Sequence, residues 1–306
     1  MDLEHARELY LAAQQGMISP KTMRIYKQSL SVLLTYLGNR DASTITLDDL
    51  RAFRAALFER GERYASNTSR PRESGGLSVW TIHGHIRVTR QFFRWLSDDG
   101  KIGMNPAARL ALPNLGNEPP KGISESDLQK MFAVAKASKR DYALLLFLAD
   151  TGCRIGGAAG LELSDLDFEK RWAVVREKGK GGRKKVRTVF FNPPTAEALR
   201  AWLEEREQMH KAKTTTRVFV GRKGALTPEG LYTIVKQIGK QAGIVGRFNP
   251  HSFRHGLARS LLERGLDLGR VIRILGHSDE RVTARFYGVF SQHELADAHK
   301  KFSWIK

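Results

Sequence analysis

WAVVREKGKGGRKKVRTVFFN, residues 172–192, is a strand-forming stretch inside a chain of helical patterns. Two runs rich in β-branched and aromatic residues, 172–179 and 185–192, flank a stretch of glycine, lysine and arginine. This arrangement predicts a β-hairpin with a basic tip, where Lys178, Lys180 and Lys184 lie. The hairpin makes the expected fold class mainly α with a small β-sheet, that is, α+β.

Helical patterns lie on both sides of the hairpin. Upstream, DYALLLFLAD (141–150) predicts a buried helix that ends at Thr151-Gly152. Downstream, apolar residues at helical spacing predict three more helices, over 195–210, 228–243 and 250–265. Pro250 suits the first turn of the last of these helices.

The first half of the chain is predicted to be helical and separate from the second. Leucines recur at helical spacing in 22–37, and a further helix is expected over 77–100 after a polar loop at 65–76. A proline-rich break at 105–120 disfavours regular structure and is typical of a junction between domains. We therefore predict an N-terminal domain over 1–112, a linker over 113–122 and a C-terminal domain over 123–306.

The net charge of the sequence is its most informative overall property, because it indicates the kind of partner. It is +19, from 51 basic and 32 acidic residues. Residues 1–112 hold 16 basic and 11 acidic side chains, a net +5, which leaves +14 for the rest of the chain. A strongly basic protein usually meets a polyanion, and nucleic acid is the default candidate. The alternative is a basic surface with no specific partner.

Cysteine content and hydropathy restrict the compartment. Cys153 is the one cysteine, so no intramolecular disulfide and no cysteine-based zinc cluster can form, which favours a reducing compartment. No apolar run reaches 18 residues and the N-terminal MDLEHARELY is polar, so neither a membrane span nor a signal peptide is expected. These features predict a cytoplasmic protein without a membrane partner.

Arginines recur on one face of the helix predicted over 77–100. Arg87, Arg90 and Arg94 share that face, and large apolar side chains occupy another. The basic face is either solvated or laid against DNA phosphates. We expect the second, on grounds of charge.

Polar residues in unusual settings mark a candidate site. They supply two guanidinium groups, an ammonium, two imidazoles and a phenol, on Arg154, Lys180, His251, Arg254, His277 and Tyr287. His251 and Arg254 are three residues apart and so share one helical face. No carboxylate pair stands out for holding Mg²⁺, and the sequence has neither a Walker A nor an HExxH motif. We expect a reaction without metal or cofactor.

This set of groups suits phosphodiester chemistry. Two arginines can each hold non-bridging phosphate oxygens and stabilise the charge of a pentavalent transition state. A phenol, with a usual pKa of about 10, needs nearby cations and a base to act as nucleophile. A histidine can accept its proton, and a lysine can protonate the leaving 5′ oxygen. The phosphotyrosyl product keeps the bond energy, so resealing needs no ATP.

The ordered blocks resemble those of the tyrosine recombinases, also called the λ-integrase family. TGCR (151–154) resembles the block with the family's first catalytic arginine, and the hairpin resembles the one that carries its lysine. HSFRH (251–255) resembles the His-x-x-Arg block, LGH (275–277) the next one, and RFYGVF (285–290) the nucleophile block. The resemblance implies the catalytic set Arg154, Lys180, His251, Arg254, His277 and Tyr287.

The same resemblance implies an architecture and partners. The N-terminal domain would be a SAM-like core-binding domain and the C-terminal domain the catalytic one. The substrate would be double-stranded DNA, and the protein would be a monomer when free, a dimer on a site and a tetramer in the synapse. The amphipathic tail 291–306 either folds back on its own domain or, as the resemblance suggests, docks on a neighbouring protomer.

Three assignments stay open. Lys178 and Lys184 lie close enough to Lys180 to replace it. In the family the nucleophile often follows the histidine by nine residues, a position held here by Phe286, although a spacing of ten, as for Tyr287, also occurs. The family often carries an acidic residue three positions after its first arginine. Gly157 stands there, so the support that this residue gives is missing or comes from elsewhere.

A site-specific recombinase or integrase is the function that these observations favour. A type IB topoisomerase shares the chemistry but needs no partner site. A DNA-binding accessory protein would have an active site that no longer works, and the intact residue set argues against it. The sequence does not identify the DNA target, because phosphate contacts carry no sequence information.

Overall fold

The computed structural model describes residues 1–63, 73–116, 122–179, 184–246, 248–276 and 300. The chain forms two compact units, Met1–Gly116 and Asn117–Lys306, and each encloses its own apolar core. Within the described ranges, no helix is both long and apolar enough to cross a membrane.

Four α-helices build the described part of the first unit: α1 (Leu3–Ala13), α2 (Pro20–Leu37), α3 (Leu47–Glu59) and α4 (Val79–Asp98). Each begins at a side chain that accepts a hydrogen bond from a backbone N–H lacking an intrahelical partner; the caps are Asp2, Ser19, Thr46 and Ser78. The leucine pattern of α2 is buried as expected at Leu30, Leu33 and Leu37. These local signals explain why the helices could be predicted.

The predicted loop over 65–76 ends in a short strand. β1 (Glu62–Arg63) pairs in antiparallel fashion with β2 (Glu73–Ser74). Backbone N–H and C=O groups make such a ladder whatever the side chains are, so the polar composition of the stretch did not reveal it. Residues 64–72 lie outside the described residues.

The second unit contains the remaining described helices. Three precede the hairpin, namely α5 (Glu125–Ala135), α6 (Lys139–Thr151) and α7 (Ile155–Ala159). Four follow it, namely α8 (Pro193–Glu207), α9 (Pro228–Gln241), α10 (Pro250–Glu263) and α11 (Leu268–Leu275). The apolar helix α6 buries Leu144, Leu145, Phe147 and Leu148 and packs against α5, α8 and α10. It thereby places its C-terminal end, and the TGCR residues, beside α10.

The predicted hairpin is confirmed and belongs to a three-stranded antiparallel sheet. Its strands are β3 (Leu166–Asp167), β4 (Trp172–Lys178) and β5 (Lys184–Phe190), in that order. Val175 lies opposite Arg187, and Lys178 lies opposite Lys184. A second small hairpin, β6 (Val220–Gly221) with β7 (Gly224–Ala225), was not predicted from the sequence. Because side chains alternate along a strand, β4 turns every second residue toward the core.

Candidate active site

A tight turn after α6 positions Arg154. Gly152 ends the helix in the left-handed region, at φ +57°, and a Cβ there would lie 2.8 Å from Cδ2 of Leu275 and 3.0 Å from Cδ2 of Leu257. Only glycine fits both the conformation and the space. Cys153 follows as a buried core residue, and burial raises the pKa of its thiol to about 11, which keeps it neutral. Arg154 then begins α7.

Glu177 of β4 holds Arg154 at two points. Its Oε1 accepts a hydrogen bond from the Arg154 backbone N at 2.6 Å, and its Oε2 accepts one from Nη1 at 2.5 Å. The Glu177 side chain is fully buried, whereas that of Arg154 stays 32% exposed. Burial alone would raise the pKa of Glu177, but the charges and hydrogen bonds of Arg187 and Arg154 lower it below the usual value. Glu177 thus anchors both the backbone and the guanidinium of Arg154, while part of the Arg154 side chain stays exposed.

The helix α10 begins with a capping box that orients His251. Asn249 Oδ1 accepts hydrogen bonds from the backbone N of His251 at 3.0 Å and of Ser252 at 3.1 Å, and Ser252 Oγ accepts one from Asn249 N at 3.0 Å. His251 is exposed. Partial burial, followed by the positive charges of Arg154 and Arg254, lowers its pKa below 6.5. A neutral imidazole that can accept a proton is therefore favoured near pH 7.

Arg254 lies one helical turn further on and is only 3% exposed. Its Nη1 donates to the carbonyl oxygen of Gly152 at 2.8 Å, and its Nη2 donates to that of Leu275. Burial, together with the neighbouring charges of Arg154 and Arg187, lowers its pKa to about 10. Arg254 is therefore a buried cation that ties α10 to the ends of α6 and α11.

Basic side chains converge on the C-terminal end of α11. Arg187 Nη1 donates to Ile274 O at 2.8 Å, and Lys185 Nζ donates to Gly276 O at 3.1 Å, beside the bond from Arg254 to Leu275 O. The last carbonyls of a helix lack intrahelical partners and carry partial negative charge, so cations are stabilising there. These bonds fix the backbone at the last described residue before His277.

The structure brings three of the six predicted residues together: Arg154, His251 and Arg254. Lys180, His277 and Tyr287 lie outside the described residues, so their assignments stay predictions. Lys178 and Lys184 form the last backbone pair of the described hairpin. Phe286, the alternative position for the nucleophile, is also outside the described part.

The predicted basic face of α4 lies in the first unit. Arg87 and Arg94 are exposed and Arg90 is half-buried. With Gln91 and part of 105–112 they line an open cleft of about 220 Å³. Arg94 pairs with Asp98 at 3.3 Å, an exposed pair of small energetic value. The cleft places guanidinium groups at the surface, and contact of these arginines with phosphates stays a prediction.

Sequence reasoning missed Glu177 and Arg187. The signal that could have found them is alternation: Ala173, Val175 and Glu177 fall on one face of β4, so two apolar residues mark the inward face and Glu177 shares it. An inward carboxylate needs cationic partners. Arg187 supplies one, with Nη2 at 3.3 Å from Glu177 Oε1.

Family models cover both units. A phage integrase family model matches residues 121–293, and a phage integrase N-terminal SAM-like domain model matches residues 8–100. A helical SAM-like unit followed by an arginine-rich site on a helical and hairpin scaffold defines a tyrosine recombinase. The chain belongs to the phage integrase family.

Relatives and solved structures agree with this assignment. The tyrosine recombinase XerC of Oceanobacillus iheyensis is 30% identical over 92% of this chain and 90% of that protein. The tyrosine recombinase XerD of Listeria monocytogenes is 28% identical over 96% of this chain and 95% of that protein. The Tn1549 transposon integrase, solved with circular intermediate DNA, superposes with a TM-score of 0.78 at 18% identity, over 99% of this chain and 100% of that one. The last likeness shows a shared fold.

Proposed function

We propose that this protein cuts and rejoins double-stranded DNA at specific sites through a 3′-phosphotyrosyl intermediate. Membership of the phage integrase family supports this function. Within the structure, one observation carries it: Arg154 and Arg254, from elements far apart in sequence, converge beside an exposed His251. Clustered cations repel one another, so a ligand with negative charge gains most from such a site.

The proposed reaction is an in-line exchange at the scissile phosphorus. The phenol oxygen of Tyr287 forms the new bond to phosphorus while the bond to the 5′ oxygen breaks. His251 accepts the phenol proton, and Lys180 donates a proton to the leaving 5′ oxygen. His277 is proposed as the second imidazole at the phosphate. In the return step a 5′-hydroxyl attacks phosphorus and the phenol leaves, so neither ATP nor a metal is required.

The two arginines take different parts in this scheme. The Arg154 side chain is partly exposed and can contact the non-bridging oxygens directly. Arg254 is buried and donates to backbone carbonyls, so it contributes a positive charge that does not reorganise during the reaction. Both effects stabilise the charge that grows on phosphate.

The two domains are proposed to grip one DNA duplex. Residues 1–112 would contact phosphates through the basic face of α4, residues 113–122 would connect the domains, and 123–306 would cut the strand. On this proposal the protein acts in the cytoplasm, as a monomer when free, a dimer on one site and a tetramer when two sites are joined. XerH, solved with its palindromic difH substrate, has a similar fold, with a TM-score of 0.70 at 20% identity over 92% of this chain and 79% of that one.

Covalent capture tests this function. The full-length protein is incubated in EDTA with fragmented DNA from the cell that carries its gene, denatured with detergent, and the attached DNA is sequenced. We expect one short, recurring sequence joined through its 3′ phosphate. An adduct that forms only with Mg²⁺, or no adduct despite DNA binding, would contradict the proposal. The second result would favour an accessory protein.

Plasmid relaxation separates the topoisomerase alternative. A supercoiled plasmid that lacks the captured sequence should stay supercoiled, whereas one that carries it should yield cleaved or recombined product. Relaxation of both plasmids at equal rates would instead assign the protein to type IB topoisomerase chemistry.

A further inference from the structure

Glu177 contacts two arginines of the candidate site, Arg154 and Arg187. Its carboxylate accepts hydrogen bonds from the backbone N and the Nη1 of Arg154, at 2.6 and 2.5 Å. It also accepts hydrogen bonds from the Nη2 and Nε of Arg187, at 3.3 and 3.5 Å. Arg187 in turn donates to Ile274 O at the end of α11. One buried carboxylate on β4 therefore connects the start of α7 with the end of α11.

The charge of Glu177 offsets a local excess of cations. Burial lowers the pKa of Arg254, the nearby charges of Arg154 and Arg187 lower it further, and the charge of Glu177 acts in the opposite direction. Arg187 and Arg254 are also largely buried, with Arg187's side chain 8% exposed, so solvent screens their repulsion poorly. Without a carboxylate here, the partly exposed side chain of Arg154 would be repelled by the other two arginines.

Gly157 provides the space that this carboxylate uses. A Cβ on Gly157 would lie 3.2 Å from Cγ and 3.4 Å from Oε1 of Glu177, and 3.4 Å from Cβ of Val175. The 3.2 Å distance is tighter than ordinary van der Waals contact, so a side chain at position 157 would require Glu177 to shift by a few tenths of an ångström. The absence of a side chain at Gly157 therefore leaves room for Glu177 in its present position.

We propose that Glu177 is the positioning residue of the site, which sets Arg154 for contact with the phosphate and holds the end of α11 through Arg187. The inference rests on the proposed strand-cleavage function. Glu177 touches no reacting atom in this scheme; it acts through the arginines. It also supplies the acidic support that the sequence lacks at Gly157.

Single-turnover cleavage of a nicked duplex tests the role. The probe is a synthetic duplex that carries the sequence captured by the wild-type protein, nicked so that the short strand leaves and the adduct accumulates. Glu177→Gln should slow cleavage by about 10- to 100-fold, the range found when a supporting partner is lost. Affinity for the intact duplex should stay within about twofold, because phosphate contacts made elsewhere dominate it.

A double-mutant cycle separates positioning from a merely structural role. In an Arg154→Ala background, Glu177→Gln should slow cleavage by a clearly smaller factor than in the wild-type background, because the contact with Arg154 is already gone and only the support of α11 through Arg187 is still lost. Equal losses in both backgrounds would overturn the proposal. The matched control is Asp165→Asn, which removes a 95% buried carboxylate paired at 2.6 Å with Arg176, the residue before Glu177 on β4; it should leave cleavage unchanged.

Folding is checked by thermal unfolding of each variant. If Glu177→Gln does not fold, Glu177→Asp replaces it, since it keeps the charge but withdraws the carboxylate by one methylene. The proposal then predicts slower cleavage at unchanged duplex affinity, and cleavage at the wild-type rate overturns it. If the wild-type protein itself forms no adduct, the proposed function fails; if it does and Glu177→Gln cleaves equally fast, only the positioning role fails.

Discussion

Arg154 and Arg254 place the same charged group in opposite surroundings. The Arg154 side chain is 32% exposed and its Nη1 is held by Glu177, whereas Arg254 is 3% exposed and held by backbone carbonyls. The partly exposed Arg154 can contact a phosphate, whereas the buried Arg254 also stabilises the fold. Substitutions at the two positions should therefore differ in what they damage.

The first prediction compares these two arginines. Arg154→Ala should lower single-turnover cleavage on the order of 10²- to 10³-fold, as for loss of one transition-state donor, with a small loss of stability. Arg254→Ala should lower cleavage similarly and also leave the carbonyls of Gly152 and Leu275 unpaired, at a cost of about 1–3 kcal/mol. Cleavage assays with thermal unfolding measure both effects. Wild-type cleavage by Arg154→Ala would remove it from the site.

The second prediction concerns the pH dependence of cleavage. Partial burial and the charges of Arg154 and Arg254 lower the pKa of His251 below 6.5, against an opposing effect of Glu177. A base must be neutral to accept a proton, so cleavage should fall as pH drops through a value below 6.5. A rate profile measures this limb. His255, whose ring lies 6.2 Å from that of His251, gives the control: His255→Gln should keep the limb. A midpoint above 6.5 would speak against His251 as the base.

At the scale of elements, α10 depends on its cap. Asn249→Ala removes the acceptor for His251 N and Ser252 N, which should cost about 1 kcal/mol and lower the unfolding temperature by about 2–4 °C. Because this turn carries His251, cleavage should also slow by about tenfold through misplacement. Thr227→Ala, which removes the cap of α9, is the matched control: it should destabilise equally and spare cleavage. Equal cleavage by both variants would refute the link.

Signals that are local in sequence made the helices and the hairpin predictable. Pro250 in the first turn of α10, Thr151-Gly152 at the end of α6 and the β-branched and aromatic residues of 172–192 each act over a few residues. The contact between Glu177 and Arg154 could not be predicted from such local signals. Glu177 lies 23 residues from Arg154, and their contact depends on which face β4 turns toward α7. Motif resemblance predicted the reacting groups, whereas the residues that hold Arg154 and Arg254 depend on packing.

At the scale of the whole molecule, positive charge is spread over both units, with +5 in residues 1–112 and +14 in the rest. Both parts are thus attracted to a polyanion, and several phosphate contacts give binding a steep salt dependence. Assembly of several protomers needs more than charge, since like-charged proteins repel one another until DNA neutralises them. We therefore expect the free protein to be monomeric.

The tail provides the fourth prediction. Residues 291–306 lie outside the described part except for Lys300, and their amphipathic pattern leads us to expect docking on a neighbouring protomer. Deleting Ser291 onward should spare binding of one protomer to a half-site but weaken cooperative filling of a full site and recombination. A gel-shift titration with half-site and full-site DNA measures this. Cooperative filling by the truncated protein would mean that the tail is not the exchange element.

Covalent attachment through Tyr287 tests the central claim most directly. Tyr287→Phe removes only the phenol oxygen that is proposed to attack phosphorus, so shape and DNA affinity should be nearly unchanged. Incubated in EDTA with the nicked duplex and denatured with detergent, the wild-type protein should migrate as a DNA adduct, and the Tyr287→Phe variant should migrate free of DNA. An adduct that persists in Tyr287→Phe at the wild-type level would contradict the account.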